Sequence, residues 1–185
     1  MIKLRTPNDI SVEVPETSAE DISTKFELHD VKKAKTYYDL HGYVVFKNVF
    51  KKEICEKLRK LWDLEVKNSK RFIYRQATAK SEKNILNTNG WVMNPILNLQ
   101  SISPTHFGKL RRTAVEDVLC SNTLRQAFEA VLGESPKIVQ SMYFEGNSAT
   151  WEHQDSYYLD SEVLGSMSAS WIALEDIRAQ AGRFF

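Results

Sequence analysis

The residues best suited to chemistry in this chain are His153 and Asp155, two positions apart in the segment WEHQDSYYLD, residues 151–160. If this segment is a β-strand, positions i and i+2 point to the same face, so an imidazole nitrogen and a carboxylate oxygen converge. Such a pair makes up two thirds of the two-histidine, one-carboxylate set of non-haem Fe(II) oxygenases. The same spacing also fits a half-buried strand in which the histidine hydrogen-bonds to the aspartate. The pair alone leaves both interpretations open.

The composition is that of an ordinary soluble domain. The chain has 185 residues, of which 42% are hydrophobic and 26% charged, and its net charge is +1. This balance argues against nucleic acid or a membrane surface as a partner, and no apolar run approaches the roughly 20 residues of a membrane span. Two distant cysteines, Cys55 and Cys120, indicate reduced thiols and a cytoplasmic protein. The oligomeric state is not indicated by the sequence.

The elements that must position the pair change in character along the chain. Residues 1–29 are polar and are predicted to form an arm or edge strand. Residues 30–135 are mainly helical. They include a helix over 30–41 that ends at Gly42, a strand over 43–50 and an amphipathic helix that starts at residue 51. The segment 71–100 is irregular, with a turn at NTNGW.

Further helix signals precede a strand-rich end. Ser103 and Pro104 predict a helix start, and a second helix is predicted with Asn122 as its cap and Gly133 at its end. Residues 136–185 contain strand patterns at 137–144, 149–154 and 166–176. Helices followed by strands predict an α+β fold, organised as a single domain over 1–185.

Two blocks of this sequence resemble the phytanoyl-CoA dioxygenase family. The first is GYVVFKNVFKKEICEKLRKLWD, residues 42–63, which is similar to the family's opening strand and helix. The second spans residues 140–185 and is similar to the family's strand, its W-x-H-Q-D metal motif and its later W-x-A-L-E-D strand. Residues 71–139 match only loosely. The resemblance implies a cupin-like double-stranded β-helix, or jelly roll, with flanking helices, whose core begins in residues 136–185.

The resemblance also implies a site and its cosubstrates. His153 and Asp155 match the first two ligands of Fe(II). Gln140 and Trp171 match positions that line the 2-oxoglutarate pocket, and Tyr158 matches a position near the pocket mouth. Each of these last three also fits a structural role, because a tryptophan in a strand is usually core and amides and phenols often satisfy backbone groups.

Two parts of the family's site are not matched. The third iron ligand, a histidine, and an arginine that pairs with 2-oxoglutarate are expected after Phe185. His29, His41 and His106 all precede the metal motif, so none of them matches the third ligand by position. We therefore expect that the last strands of the jelly roll are missing from this chain, and that either it is part of a longer protein or another segment completes it.

The expected activity is hydroxylation of a small organic substrate, with Fe(II), 2-oxoglutarate and O₂ as reactants and succinate and CO₂ as products. The carboxylate of Asp155 favours hydroxylation, because related halogenating enzymes lack it. Two alternatives stay open. One is a non-catalytic jelly-roll module that binds a small molecule or a partner, and the other is a structural cupin-like domain that binds a different divalent metal. The sequence does not identify the substrate.

Overall fold

The structure is a computed structural model, and it describes most of the chain, namely residues 2–5, 9, 11–16, 20–21, 23–147, 153, 155–163 and 166–178. The chain falls into two compact units. The first draws on residues 1–47 and 149–185, and the second is formed by residues 48–148. Both combine helices with short two-stranded sheets, so the secondary structure is of the mixed kind that the sequence predicted. The organisation of residues 1–185 as one oxygenase-like domain stays a prediction.

The first unit contains an antiparallel hairpin and a short parallel pair joined by a helix. Strand β1 (Ile2–Arg5) pairs with β2 (Ser11–Val14) in a register that places Ile2 opposite Val14. Strand β3 (Lys25–Phe26) lies parallel to β4 (Val45–Phe46), and α1 (Val31–His41) connects them. The predicted arm therefore contains three of the strands. The strand expected over 43–50 is limited to two residues, because only these pair with β3.

Helix α1 has the bounds that the local sequence signals predicted. The carbonyl of Asp30 accepts a hydrogen bond from the amide of Ala34 at 2.9 Å, which begins the helical bonding pattern. At the other end Gly42 adopts a left-handed conformation with φ of 76°, and its N–H donates to the carbonyl of Tyr38 at 2.7 Å. Glycine tolerates this conformation because it has no Cβ, so it ends the helix at little cost.

Most of the helices in the described part of the chain lie in the second unit. They are α2 (Lys52–Leu61), a π-helical turn (Trp62–Lys67), a 3₁₀ turn (Leu99–Ser101), α3 (Gly108–Arg112), a second π-helical segment (Thr113–Leu119) and α4 (Asn122–Leu132). The predicted apolar face of α2 is buried at Leu58 and Leu61. Just beyond it, the Trp62 ring stacks on Tyr143 with centroids 4.2 Å apart and planes 9° from parallel. Such a stacked pair contributes about 0.5–1.5 kcal/mol beyond the burial of its area.

The start of α3 differs from the prediction. The helix begins at Gly108, five residues after Ser103, although the carbonyl of Ser103 accepts from the amide of Phe107 in a preceding turn at 2.9 Å. The carboxylate of Glu65 accepts hydrogen bonds from the amides of Lys109 at 3.3 Å and Leu110 at 3.0 Å. The first amides of a helix have no partner within it, so a carboxylate from another helix fixes where this one starts.

The cap of α4 is also one residue from its predicted position. The Ser121 hydroxyl, not Asn122, accepts a hydrogen bond from the amide of Leu124, at 3.2 Å. The predicted end at Gly133 is confirmed, since this glycine has φ of 78° and its amide donates to the carbonyl of Glu129 at 2.9 Å. Serine and asparagine are equally good caps, so propensity alone could not choose between neighbours.

Two short sheets complete the second unit. Strand β5 (Ile73–Tyr74) pairs with β6 (Ser81–Glu82), and β7 (Ile96–Leu97) pairs with β8 (Met142–Tyr143), both antiparallel. The turn at NTNGW is confirmed, with the Gly90 amide donating to the carbonyl of Asn87 at 3.0 Å. The longer strand expected over 137–144 forms only at β8.

The strand predicted over 166–176 is wrong, because the described residues 166–178 contain no strand. Alternating apolar residues make a segment suitable for a sheet, but a strand forms only where a second backbone supplies hydrogen bonds. For the predicted strand over 149–154, residues 149–152 and 154 lie outside the described residues.

Candidate metal site

The two predicted metal ligands lie side by side, although not on a strand. Asp155 opens a 3₁₀ turn (Asp155–Tyr157), and its carbonyl accepts from the amides of Tyr158 at 2.8 Å and Leu159 at 2.9 Å. His153 precedes this turn outside any helix or strand. The pair was expected to share one face of a strand, but Asp155 lies in a turn, whose hydrogen bonds hold its backbone. The side chains still converge, with Nε2 of His153 3.1 Å from Oδ1 of Asp155.

The separation of these two atoms fits a shared metal ion as well as a hydrogen bond. Imidazole nitrogen and carboxylate oxygen bind first-row divalent metals such as zinc at about 2.0–2.2 Å, so two such ligands at right angles lie about 3 Å apart. The side chains of His153 and Asp155 are 39% and 59% exposed, so solvent reaches part of each side chain. The donor set, one nitrogen and one oxygen, is of the kind that iron takes in two-histidine, one-carboxylate sites.

Tyr158 is the predicted cosubstrate residue that lies next to the pair. Its ring meets the imidazole of His153 edge to face, with centroids 6.0 Å apart and planes at 72°. The residue is 80% exposed, so the ring covers one side of the imidazole while its other surface faces solvent. An edge-to-face contact between aromatic rings contributes about 0.5–1.5 kcal/mol, so this one favours the present orientation of the imidazole.

Trp171 and Gln140 lie elsewhere in the chain. Trp171 belongs to the same unit as His153 and is 61% exposed, in the segment 166–178. Gln140 belongs to the second unit, just before β8, and its side chain is exposed. Ser141 and Tyr143 are buried there while Gln140 and Met142 are exposed, the alternation expected along an extended segment. The roles of Gln140 and Trp171 beside 2-oxoglutarate stay predictions.

A third ligand does not join the pair within the described residues, where no three His, Cys, Asp or Glu side chains come together. The three other histidines lie elsewhere. The ring of His41 packs on Tyr37 with centroids 4.2 Å apart, and the ring of His106 packs against Phe107 at 6.4 Å. His29 is exposed between β3 and α1. The expectation that none of the three completes the metal site stays a prediction.

Sequence reasoning missed an anchor immediately before the metal motif. The carboxylate of Glu145 accepts a hydrogen bond from the amide of Val92 at 2.7 Å, and it pairs with the ammonium group of Lys67. The amide of Gly146 then donates to the carbonyl of Val92 at 3.1 Å. These contacts join residues 53 and 78 positions apart, so no local pattern indicated them.

A buried arginine forms a second unpredicted feature. Arg75 has no exposed surface, and its guanidinium donates to the carbonyl of Asn94 at 2.8 Å and to Oδ1 of Asn84 at 2.5 Å. Burial lowers the pKa of Arg75 below its ordinary value, although the nearby Glu82 carboxylate acts in the opposite direction. Asn84 in turn donates to the carbonyl of Val66 at 2.6 Å at the end of the first π-helical turn. This network links the irregular segment 71–100 to the end of the first π-helical turn.

Comparison with known proteins identifies the family. A sequence model described as Phytanoyl-CoA dioxygenase (PhyH) matches residues 38–184, which is most of the chain. The chain therefore belongs to the phytanoyl-CoA dioxygenase family, as the resemblance of its two blocks predicted. Members of this family are typically Fe(II)- and 2-oxoglutarate-dependent dioxygenases of jelly-roll fold that act on small molecules. Searches of curated proteins and of solved structures found no match to the chain. No helix within the described ranges is long and apolar enough to cross a membrane.

Proposed function

We propose that this protein is an Fe(II)- and 2-oxoglutarate-dependent dioxygenase that hydroxylates a small organic substrate and releases succinate and CO₂. His153 and Asp155 are its first two iron ligands, and residues 136–185 begin its jelly-roll core. The observation that carries the proposal is the 3.1 Å separation of Nε2 and Oδ1 in a chain of this family. Bound iron supplies the activation of O₂, which protein side chains alone do not provide.

The chain's own residues would hold and orient the reactants. The imidazole of His153 offers a neutral nitrogen donor, and the carboxylate of Asp155 offers a negative oxygen that favours a divalent cation. Tyr158 packs against the imidazole edge to face and limits its rotation, which is the role that neighbouring groups commonly play at metal sites. The backbone turn at Asp155 limits the motion of the carboxylate in the same way.

The cosubstrate residues follow from the family resemblance. We propose that Gln140 donates a hydrogen bond from its amide to 2-oxoglutarate and that the indole of Trp171 covers one side of it. Tyr158 then stands at the entrance of the pocket. An amide and an aromatic wall together orient an anionic organic molecule without adding a competing charge.

A second candidate function is a non-catalytic module that binds a metal or a small molecule. The observation that favours it is the contact between His153 and Asp155 itself, since 3.1 Å is also an ordinary hydrogen-bond length that needs no metal. The described residues also bring no third ligand to the pair. A structural site for another divalent metal is a further non-catalytic alternative that fits the same contact.

An anaerobic titration with Fe(II) and 2-oxoglutarate tests the proposal. We expect the visible charge-transfer band of the ternary complex in the wild type and its loss in His153→Ala and Asp155→Ala. His106→Ala serves as the matched control, because this exposed histidine lies in the other unit. Circular dichroism checks that all variants stay folded. The release of CO₂ from labelled 2-oxoglutarate supplies the second readout.

The outcomes separate the candidates. A band lost in both ligand variants and kept in the control supports the dioxygenase. Metal binding that is unaffected by 2-oxoglutarate indicates the non-catalytic metal module. Wild-type protein that binds neither Fe(II) nor 2-oxoglutarate contradicts the proposal for this chain.

A further inference from the structure

The second unit contains a cleft that none of the proposed iron-site residues lines. Its volume is about 220 Å³, and it lies between β5, β6, the end of β7 and the turn that precedes α3. Its apolar wall is formed by five side chains: Phe72, Ile73, Leu97, Ile102 and Phe107. Three of them, Ile73, Ile102 and Phe107, are at most 6% exposed and form the floor. Phe72 is 67% exposed and stands at the rim.

The rest of the lining is polar, and most of its hydrogen-bonding groups have no partner within the described part of the protein. It consists of Tyr74, Ser81, Ser101 and Ser103, which carry hydroxyls, and Asn98. Within the part of the chain that the structure describes, none of these hydroxyls forms a hydrogen bond, and the side-chain nitrogen Nδ2 of Asn98 donates none. Five polar groups around an apolar floor are the arrangement found where a small molecule is recognised, since few polar contacts fix the orientation of an apolar body.

Asn98 is held rigidly enough to act as a recognition group. Its backbone is left-handed with φ of 60°, and its amide N–H donates to the carbonyl of Ser141 at 2.6 Å. Its side-chain oxygen accepts from Gln100 at 3.3 Å and from the amide of Ser141 at 3.4 Å. The oxygen is thus occupied by the protein, which leaves the NH₂ group as a fixed donor for a carbonyl or hydroxyl oxygen.

The charges around the cleft limit the class of ligand. No carboxylate, ammonium or guanidinium group lines it. The Lys83 ammonium lies over the Phe72 ring, 5.5 Å from its centroid, so a cation at the rim meets a like charge. The same ammonium attracts an anion to the rim, but an anion seated deeper meets no paired group among the lining residues, and removing it from water without a partner is costly.

We propose that this cleft binds a small uncharged ring compound that carries a hydroxyl or carbonyl group. The volume corresponds to about seven water molecules of the liquid, which suits a body of one or two fused rings. The rings contact Phe72 and the buried floor, and the oxygen accepts a hydrogen bond from Asn98. This inference does not depend on iron and goes beyond the proposed oxygenase function.

A titration of the isotope-labelled full chain with 1-naphthol tests the inference. We expect saturable shifts of the amide resonances of residues 72–74 and 97–103, with affinity in the millimolar range or tighter. Phe72→Ala should weaken binding about fivefold through the loss of an aromatic contact. Trp91→Ala is the matched control, because Trp91 is an aromatic residue of the same unit that is 49% exposed and does not line the cleft. Ser101→Phe, which fills the cleft from an exposed position, should abolish binding.

The comparison ligand is 1-naphthoate, which keeps the rings and replaces the hydroxyl by a charged carboxylate. We expect it to bind at least about tenfold more weakly, a difference of about 1.4 kcal/mol. Thermal midpoints verify that each variant is folded. The inference is overturned by non-saturable shifts, by equal effects of Phe72→Ala and Trp91→Ala, or by binding of 1-naphthoate as tight as that of 1-naphthol.

Discussion

Replacing Arg75 by lysine should destabilise the protein strongly although it keeps the positive charge. The guanidinium forms two short hydrogen bonds, to the carbonyl of Asn94 at 2.8 Å and to Oδ1 of Asn84 at 2.5 Å, in a site without exposed surface. Each such charge-assisted bond is worth about 1.5–3 kcal/mol, and a lysine ammonium has no planar fork to form both. If lysine recovers one of them, the other is lost and its acceptor is left buried without a donor, so the net loss is up to about 3 kcal/mol.

Urea unfolding provides the assay, with the fluorescence of the four tryptophans, among them the buried Trp62, as the reporter and circular dichroism as the second probe. A loss of about 3 kcal/mol lowers the midpoint by roughly 1–3 M urea at the slopes usual for small proteins. Arg125→Lys is the control, because this side chain is 53% exposed and its ion pair with Glu129, 3.5 Å apart, contributes little. An unfolding free energy of Arg75→Lys within about 0.5 kcal/mol of the control would refute the reasoning.

The double variant with Asn84→Ala sharpens the test. Asn84 links the guanidinium to the carbonyls of Val66 and Lys67, so its removal disrupts the same network. The two losses should therefore be less than additive, with a coupling of about 0.5–3 kcal/mol. Strict additivity would mean that Arg75 and Asn84 stabilise the fold independently.

Three further predictions concern local features. Lys25 and Ser23 hold the pKa of Asp21 well below its ordinary value of 3.8, so Asp21→Asn should lower the thermal midpoint at pH 7. Because the folded-state pKa is depressed, the higher thermal midpoint of the wild type is fully present above pH 3.8, shrinks below that pH and is lost only at much lower pH. A difference in midpoint between wild type and variant that grows on acidification would contradict this. Glu65→Gln keeps an acceptor for the first amides of α3 but loses the charge, and should cost about 0.5–1 kcal/mol of unfolding free energy in low salt and less in high salt. Gly133→Ala should lower the free energy of unfolding by about 1 kcal/mol, because the backbone at Gly133 is left-handed. Gly108→Ala is the control, since this glycine lies in a helix with free space around it, and a destabilisation by that change would count against this account.

Helix ends that depend on one residue's own conformation were predictable from the sequence. Gly42 and Gly133 end α1 and α4 where expected, because a left-handed residue stops a helix whatever surrounds it. The turn after Leu86 was predictable for the same reason. By contrast, the start of α3 depends on the carboxylate of Glu65, more than 40 residues away in sequence, which no local pattern indicates.

In the candidate site, too, some features were predictable from the sequence and others depend on the tertiary structure. The types and spacing of His153 and Asp155, together with the two family blocks, were sufficient to predict the family, and the family match confirms it. Their convergence was predicted on a strand, but the structure achieves it with a turn at Asp155, and Tyr158 lies beside His153 because the same turn positions it. Whether these residues bind iron stays a prediction.

Residue chemistry and local conformation are encoded in short stretches, so the sequence by itself determined the ends of α1 and α4 at Gly42 and Gly133 and the family. It also predicted the pair of metal donors. Tertiary structure decided what depends on distant partners: the burial of Arg75, the anchoring of Glu145, and the lack of a strand in residues 166–178. The physical reason is that hydrogen bonds and burial are shared properties of two segments. The sequence of one segment shows which hydrogen-bonding and apolar groups it carries, and the fold determines which other segment pairs with them.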